Sequence, residues 1–349
     1  MDSMHEADEI VVLDTGSKDD TVDKLRARGV HVEVGVFKPW RFDLPRNTSM
    51  HLVSADVDIC VCTDLDEILT PGWRAALEKC WVENGGKIGG VGKNLRVKYL
   101  YTWNFNPDGT PGTTFWYEKI HTRDGYRWVK PVHEITNSYL NGESEQPIYC
   151  HGFQLHHFPD STKSRSSYLP LLKMSVEEEP EDDRNSHYYG RELMYYGQFD
   201  KAIDELVRHL SLPRAKWLAE RAASMRYISR CFVGKGNRIN SLEWAFKACA
   251  EDATAREPWV HLAKVLEIQC DWAGMLFAIN RALDIKERPS HYINEPESWS
   301  AVPYELGAKA NFNLDRLSEA EMLVHQGLEI DSTSTKLREI LSQIDVAKP

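Results

Sequence analysis

Three acids stand together behind an apolar run: Asp64, Asp66 and Glu67 follow Asp58-Ile59-Cys60-Val61-Cys62-Thr63. Such a run reads as a buried strand. In an extended chain, residues two apart point the same way, so Asp64 and Asp66 are expected to converge. Two hard oxygen ligands on a rigid strand end suit Mg2+ or Mn2+ carrying a diphosphate. A second polar stretch, Asp14-Thr15-Gly16-Ser17-Lys18-Asp19-Asp20-Thr21, follows the β-branched run Ile10-Val11-Val12-Leu13. Asp14 is placed to accept hydrogen bonds from a base or ribose. The plainer alternative is a strand–turn–helix with Ser17 or Asp20 as N-cap. A third stretch, Cys150 to Asp160, carries His151, His156 and His157, with Lys163 and Arg165 just beyond.

These groups need a scaffold. Strand over 9–14, helix over 21–28, strand over 30–34, helix over 47–54, strand over 58–63 and helix over 71–81 read as an α/β layer with a mainly parallel sheet. Ligands bind outside the carboxyl ends of strands in such sheets, which is where Asp14 and Asp64 fall. Residues 91–148 read as antiparallel strands and loops. Trp103, Trp116 and Trp128 in them are candidates to stack on sugars, or core. After Pro159 the pattern changes. A polar stretch, a helix over 168–176 and an acidic break over 177–183 lead into helix pairs, whose second members begin near Asp200, Ser241, Trp272 and Ser318. Ala202, Ala245, Ala278 and Ala320 recur early in those members, where helices must pack closely. The expected division is 1–160, a linker over 161–186, and 187–349.

Composition limits the possibilities. The chain has 349 residues, 42 basic against 53 acidic, a net charge of −11, and 42% hydrophobic residues. That describes a globular protein of two domains. It counts against global disorder and against a basic nucleic-acid binder. The longest apolar run is five residues, against about 20 for a membrane span. Seven scattered cysteines with no Cys-x-x-Cys point to a reducing, cytoplasmic setting.

The run Asp8 to Val22, Trp40-Arg41-Phe42-Asp43 with Arg46-Asn47, and Ile59 to Leu69 resemble, in order and spacing over 8–135, segments of family 2 glycosyltransferases. Residues 187–349 resemble tetratricopeptide (TPR) repeats, best at Gly197-Gln198-Phe199-Asp200-Lys201-Ala202. The resemblance implies a GT-A fold, a Rossmann-like mixed sheet, followed by an all-α helical-repeat domain. It implies an inverting, metal-dependent transfer of sugar from a UDP-sugar, with Mn2+ or Mg2+, to a glycan, peptide or other hydroxyl acceptor. Carried over by position, Asp14, Thr15, Gly16 and Ser17 would hold the nucleoside and Arg46 its uracil or phosphate side. Asp64 would contact the ribose, Asp66 and His156 or His157 would bind the metal, and Lys163 and Arg165 would contact the diphosphate. Glu134, in Lys130-Pro131-Val132-His133-Glu134, is the candidate base, with Asp108 and Glu118 as competitors. The helical half would hold a protein partner, an acceptor or a second copy of the chain, or act as a buttress. One departure is that only Met1 to Ala7 precede the Asp14 strand. They read as the tail of a helix, so the expectation is either a chain start that is misassigned or truncated, or a sheet that lacks the family's first strand. Two rival readings are a phosphatase with an aspartyl nucleophile and a non-catalytic TPR scaffold with a decayed transferase half.

Overall fold

The computed structural model describes residues 1–106, 109–139, 147–159 and 166–348. It divides into two compact units. The first is Met1–Ser175 with Ser290–Tyr292, and the second is Val176–Pro289 with Ile293–Pro349.

In the first unit, β1 (Val11–Asp14) and β2 (His31–Val34) pair in parallel across α1 (Thr21–Ala27). Gly29, at φ +77°, stops that helix. Leu25, Val30 and Val32 form the small core of this βαβ unit. Next come α2 (Asp43–Met50), β3 (Ile59–Val61), β4 (Glu67–Leu69) and α3 (Trp73–Glu83). The α2 helix starts four residues before the expected position, because Pro45 lies in its first turn, where a missing N–H costs nothing. Met1 to Ala7 are not the tail of an α-helix. They hold one 3-10 turn, Asp2–Met4, and the Glu6 carboxylate accepts from the N–H groups of Gly72 and Arg74 at the start of α3.

The remaining strands are β5 (Arg96–Thr102), β6 (Thr114–Thr122), β7 (Tyr126–Val129), β8 (Ile135–Ser138) and β9 (Ile148–His157). The larger sheet has the order β3-β6-β5-β9-β4. Only β5 and β9 run parallel, and every other pair in it is antiparallel. The expected mainly parallel, Rossmann-like GT-A sheet is therefore corrected. Among the described residues, β1 and β2 form a two-stranded sheet of their own, and β7 and β8 another. The physical reason lies in the connections. Parallel neighbours need a long crossover, whereas β5 to β6 and β7 to β8 return through loops without a helix. Alternation on β5 buries Val97, Tyr99 and Tyr101 against α3 residues Trp73, Leu77 and Trp81. Gly152 of β9 sits against Ala76, 3.0 Å from where a Cβ would stand.

After α4 (Tyr168–Glu178) the second unit is a succession of antiparallel helix pairs. They are α5 (Asp183–Tyr195) with α6 (Phe199–Ser211), α7 (Leu218–Gly234) with α8 (Arg238–Glu251), α9 (Arg256–Ile268) with α10 (Trp272–Asp284), and α11 (Val302–Asn313) with α12 (Leu317–Ile330). A final helix, α13 (Thr335–Ala347), was not expected from the pattern. The acidic run over 177–183 is not a continuous break, since Glu177 and Glu178 finish α4 and Asp183 begins α5. Ala202, Ala245, Ala278 and Ala320 are fully buried. Gly190 faces Leu206, whose Cγ lies 2.6 Å from where a Cβ would stand, so α5 and α6 approach too closely for a larger residue.

The four pairs share one turn. Each has three residues between helices, and the middle one has positive φ: Gly197, Gly236, Cys270 and Asp315. The next N–H donates back to the first helix each time, Gln198 to Leu193, Asn237 to Phe232, Asp271 to Leu266 and Arg316 to Asn311, at 2.9–3.1 Å. This is the six-to-one closure that satisfies terminal carbonyls through a left-handed residue. Two of the four turns place a side chain at φ +56°. Exposed Cys270 is the clearer case. Relief of the left-handed penalty, less the extra entropy of glycine, predicts that Cys270→Gly raises stability by up to about 1 kcal/mol. Gly236→Ala should lower it by a similar amount. Urea unfolding of the two variants checks both signs.

Candidate functional site

The acids that drew attention in the sequence lie where α2, β3, β4 and β6 meet. Asn47 of α2 clasps β7 by accepting from the Trp128 N–H and donating to the Trp128 carbonyl, each at 2.8 Å. That clasp fixes Arg46 against the hairpin, with its guanidinium 4.6 Å from the Trp128 ring. Arg46 donates to Glu134 at 2.5 Å and to Asp64 at 2.6 Å. Lys119 of β6 donates to the other Asp64 oxygen at 2.7 Å and to Glu67 at 2.9 Å. Tyr101 donates to Glu67 at 2.9 Å, and the Asp64 N–H donates to Glu67 at 2.7 Å.

This cluster is largely closed on itself. Burial pushes the Asp64 carboxyl up, but Lys119 and Arg46 outweigh it and hold it well below the usual carboxylate range. Burial alone would lower Lys119, but Asp64, Tyr117 and Glu67 raise it above its ordinary value. Arg46 is held charged in the same way by Asp64 and Glu134 against its own burial. For Tyr101, burial and then Glu67 raise the phenol. Lys119 and Glu67 are central here, and neither was assigned a role from the sequence. A lysine inside the aromatic-rich segment Thr114–Thr122 was the available signal, because a buried lysine requires a buried acid.

The other expected site residues fall as follows. Asp14 is buried and closes its own turn, accepting from the Gly16 and Ser17 N–H groups at 2.9 Å. Burial raises its carboxyl, but the hydrogen bonds from Ser17 and Gly16 together outweigh that and leave a net downward shift. Neither Ser17 nor Asp20 caps α1 by side chain. Asp19 accepts from the Thr21 N–H instead. Thr15, Gly16 and Ser17 are exposed. Asp64 and Asp66 are not on one extended strand, because Leu65 and Asp66 form a turn between β3 and β4. The alternation argument for their convergence therefore does not apply. Asp66 instead lies 3.7 Å from His157 Nε2. His157 and His156 are neighbours in β9 and face opposite sides, His157 against Trp103 and His156 against Phe105. Asp66 and His157 supply two donors, and among the described residues no third donor joins them. Glu118 turns to the other side of β6, toward Lys98 at 3.3 Å. Lys163, Arg165 and Asp108 lie outside the described residues. Trp128 is buried, while Trp103 is about half exposed.

The helical unit carries its own buried polar groups. His261 contacts Ser229 Oγ at 2.8 Å. Arg226 and Arg230 converge on Glu295 at 3.0 and 2.7 Å. On its outer surface, Phe246, Cys249, Ala250, Ala253, Trp259, Phe277 and Arg281 line a groove of about 510 Å³. Phe246 and Phe277 are 47% and 56% exposed, which is unusual for phenylalanine beside a packed core. Among the described residues no helix is long and apolar enough to cross a membrane.

No protein-family model matches the chain, and no curated protein matches it either. It is similar to solved structures. PilF of Pseudomonas aeruginosa is 11% identical with a TM-score of 0.40, over 50% of this chain and 72% of that one. The Cut9–Hcn1 hetero-tetramer of the APC/C is 14% identical with a TM-score of 0.42, over 52% and 33%. A thermophilic TPR protein of Thermus thermophilus is 15% identical with a TM-score of 0.37, over 51% and 89%. None of these is a glycosyltransferase. The strand order above corrects the expected sheet, and the expected family 2 resemblance and enzyme find no counterpart among these structures. The UDP-sugar donor and the Mn2+ or Mg2+ ion lose the resemblance that carried them.

Two measurements probe these networks. Lys119→Met keeps the volume but leaves Glu67 and Asp64 without their ammonium, so a loss of about 3–5 kcal/mol is expected in urea unfolding. Burial, with Arg230 and Arg226 adding to it, holds His261 well below its ordinary range, hence neutral when folded. The unfolded chain binds that proton below about pH 6.5. This contribution is complete above that pH and is lost as the pH falls, at about 1.4 kcal/mol per unit. Unfolding free energies at about pH 7.5 and 5.5, on either side of the unfolded histidine's titration, should show the drop, and His261→Gln should reduce it.

Proposed function

We propose that this chain is a non-catalytic scaffold whose helical-repeat unit holds a protein partner. The observation that carries the reading is the outer groove of α8, α9 and α10. Two exposed phenylalanines line it beside buried Cys249 and Trp259, with Trp259 and Phe277 in edge contact at 6.0 Å. Arg281 lies 5.5 Å from the Trp259 ring at the rim. Aromatic side chains in a pocket flanked by arginine match the composition of energetic centres in protein interfaces. The volume suits one or two apolar side chains of a peptide, and Arg281 would take a neighbouring carboxylate.

The first unit supports the same reading by what its acids already do. Asp64, Glu67 and Glu134 are occupied by Arg46 and Lys119. A general base needs to reach a substrate proton, and Glu134 is held by Arg46 instead. The aspartyl phosphatase alternative meets the same obstacle, since both Asp64 oxygens are engaged by cations.

Selection from a random peptide library on the full chain tests the proposal. Enriched peptides should pair an aromatic or long aliphatic residue with an acidic one. The double variant Phe246→Ser, Phe277→Ser should weaken them at least about tenfold while its melting temperature stays close to the parent's, because both rings are already half exposed. Unchanged binding by that variant would remove the groove from the proposal.

A further inference from the structure

The inter-helix junction at the start of the helical unit holds a set of metal-type donors that the scaffold reading does not use. Asp183 begins α5, His209 lies in the last turn of α6, and Glu220 lies in the first turn of α7. One carboxylate oxygen of each acid and one ring nitrogen of the histidine fall within 4.8 Å of one another. His209 is fully buried and Glu220 nearly so, while Asp183 is partly open to solvent.

The histidine is the informative member. Its Nδ1 meets Ser224 Oγ at 2.9 Å, and Ser224 also meets His187 Nδ1 at 2.8 Å. A hydroxyl has one proton to give. When Ser224 donates to His187, the His209 Nδ1–H donates to Ser224, and the lone pair of His209 is then on Nε2. That Nε2 has no hydrogen-bond partner, although it points at Glu220, 3.4 Å away. A buried imidazole with its inner nitrogen anchored and its outer nitrogen facing a carboxylate, with a second carboxylate within 4.8 Å of the set, is the arrangement that metal-binding histidines adopt, with the second nitrogen fixing tautomer and orientation.

We infer that Asp183, His209 and Glu220 bind a divalent transition-metal ion, with zinc as the best match to one imidazole and two carboxylates. Ligand bonds to such an ion are about 2.0–2.2 Å, so the donors, which span up to 4.8 Å, must draw a little closer. The part-exposed Asp183 side chain is the one with room to move. A nitrogen donor disfavours magnesium and calcium, which prefer all-oxygen shells. The ion would tie the first turn of α5, the last turn of α6 and the first turn of α7 together, offsetting the two carboxylates beside a buried imidazole. The open coordination positions would be filled by water on the Asp183 side.

Zinc titration of the full chain after chelator treatment decides the matter, followed by calorimetry and by thermal melting. The expected result is one saturable site per chain and a zinc-dependent rise in melting temperature that magnesium does not reproduce. Asp183→Asn should weaken zinc binding at least about tenfold, while its metal-free melting temperature stays near the parent's, since it keeps the helix start and alters a part-exposed group. Cobalt substitution supplies an independent readout, because the visible absorption of bound cobalt should be lost in Asp183→Asn. Absence of a stoichiometric zinc site, equal binding by Asp183→Asn, or equal binding of magnesium would each overturn the assignment.

Discussion

A charge taken out of water costs several kcal/mol unless an opposite charge goes with it, and that constraint organises both units of this protein. In the first unit, Lys119 is almost wholly buried on β6, an inner strand of the larger sheet. Its presence requires Glu67 on β4 and Asp64 after β3 to close around it. Arg46 then balances the free side of Asp64 and Glu134. Elements distant in sequence are thus held by one alternating set of charges. In the second unit, Glu295 plays the same part. Burial would raise its carboxyl, yet Arg226 and Arg230 bring it down to about 2. Glu295 lies in the connection between α10 and α11, so this ion pair anchors that connection to α7.

The same anchor lies in the longest spacing of the repeat. The second helices of successive pairs begin at Phe199, Arg238, Trp272 and Leu317. The longest interval is the last, and it contains the segment that carries Glu295 and the stretch Ser290–Tyr292 assigned to the first unit. Within each pair the joining turn is constant. The three-residue turn, its left-handed middle residue and the buried alanine of the second helix recur whatever the intervening length. Local hydrogen bonding keeps the turn constant, and in the longest interval an ion pair holds the added connection to α7.

Much of this was legible in the residues themselves. Gly197 and Gly236 announced turns, and Ala202, Ala245, Ala278 and Ala320 announced close packing, because both signals depend on contacts within a helix pair. The short parallel pair β1–β2 was equally readable from a β-branched run, a glycine turn and an amphipathic helix. The sheet order was not. Strand periodicity tells which face is buried but not which neighbour it meets, and the alternation of strands with helices filled that gap with a mainly parallel arrangement the larger sheet does not adopt. The acids at the end of β3 were noticed as candidate metal ligands, whereas the structure gives two of them protein cations as partners. Those cations are Lys119 and Arg46, one of them 55 residues downstream of Asp64.

The sequence by itself determined the places where the backbone must turn, the helices that must touch, and the clustering of several carboxylates just past one strand. Those are local properties, set by glycine, alanine and the alternation of apolar residues over a few positions. Only the tertiary structure decided what each carboxylate faces. Asp64 meets two cations, Asp66 meets His157, and Asp183 and Glu220 meet His209 across three helices. The physical reason is that electrostatic pairing depends on distances through space of a few ångströms between residues tens of positions apart, and no periodicity along the chain encodes those distances.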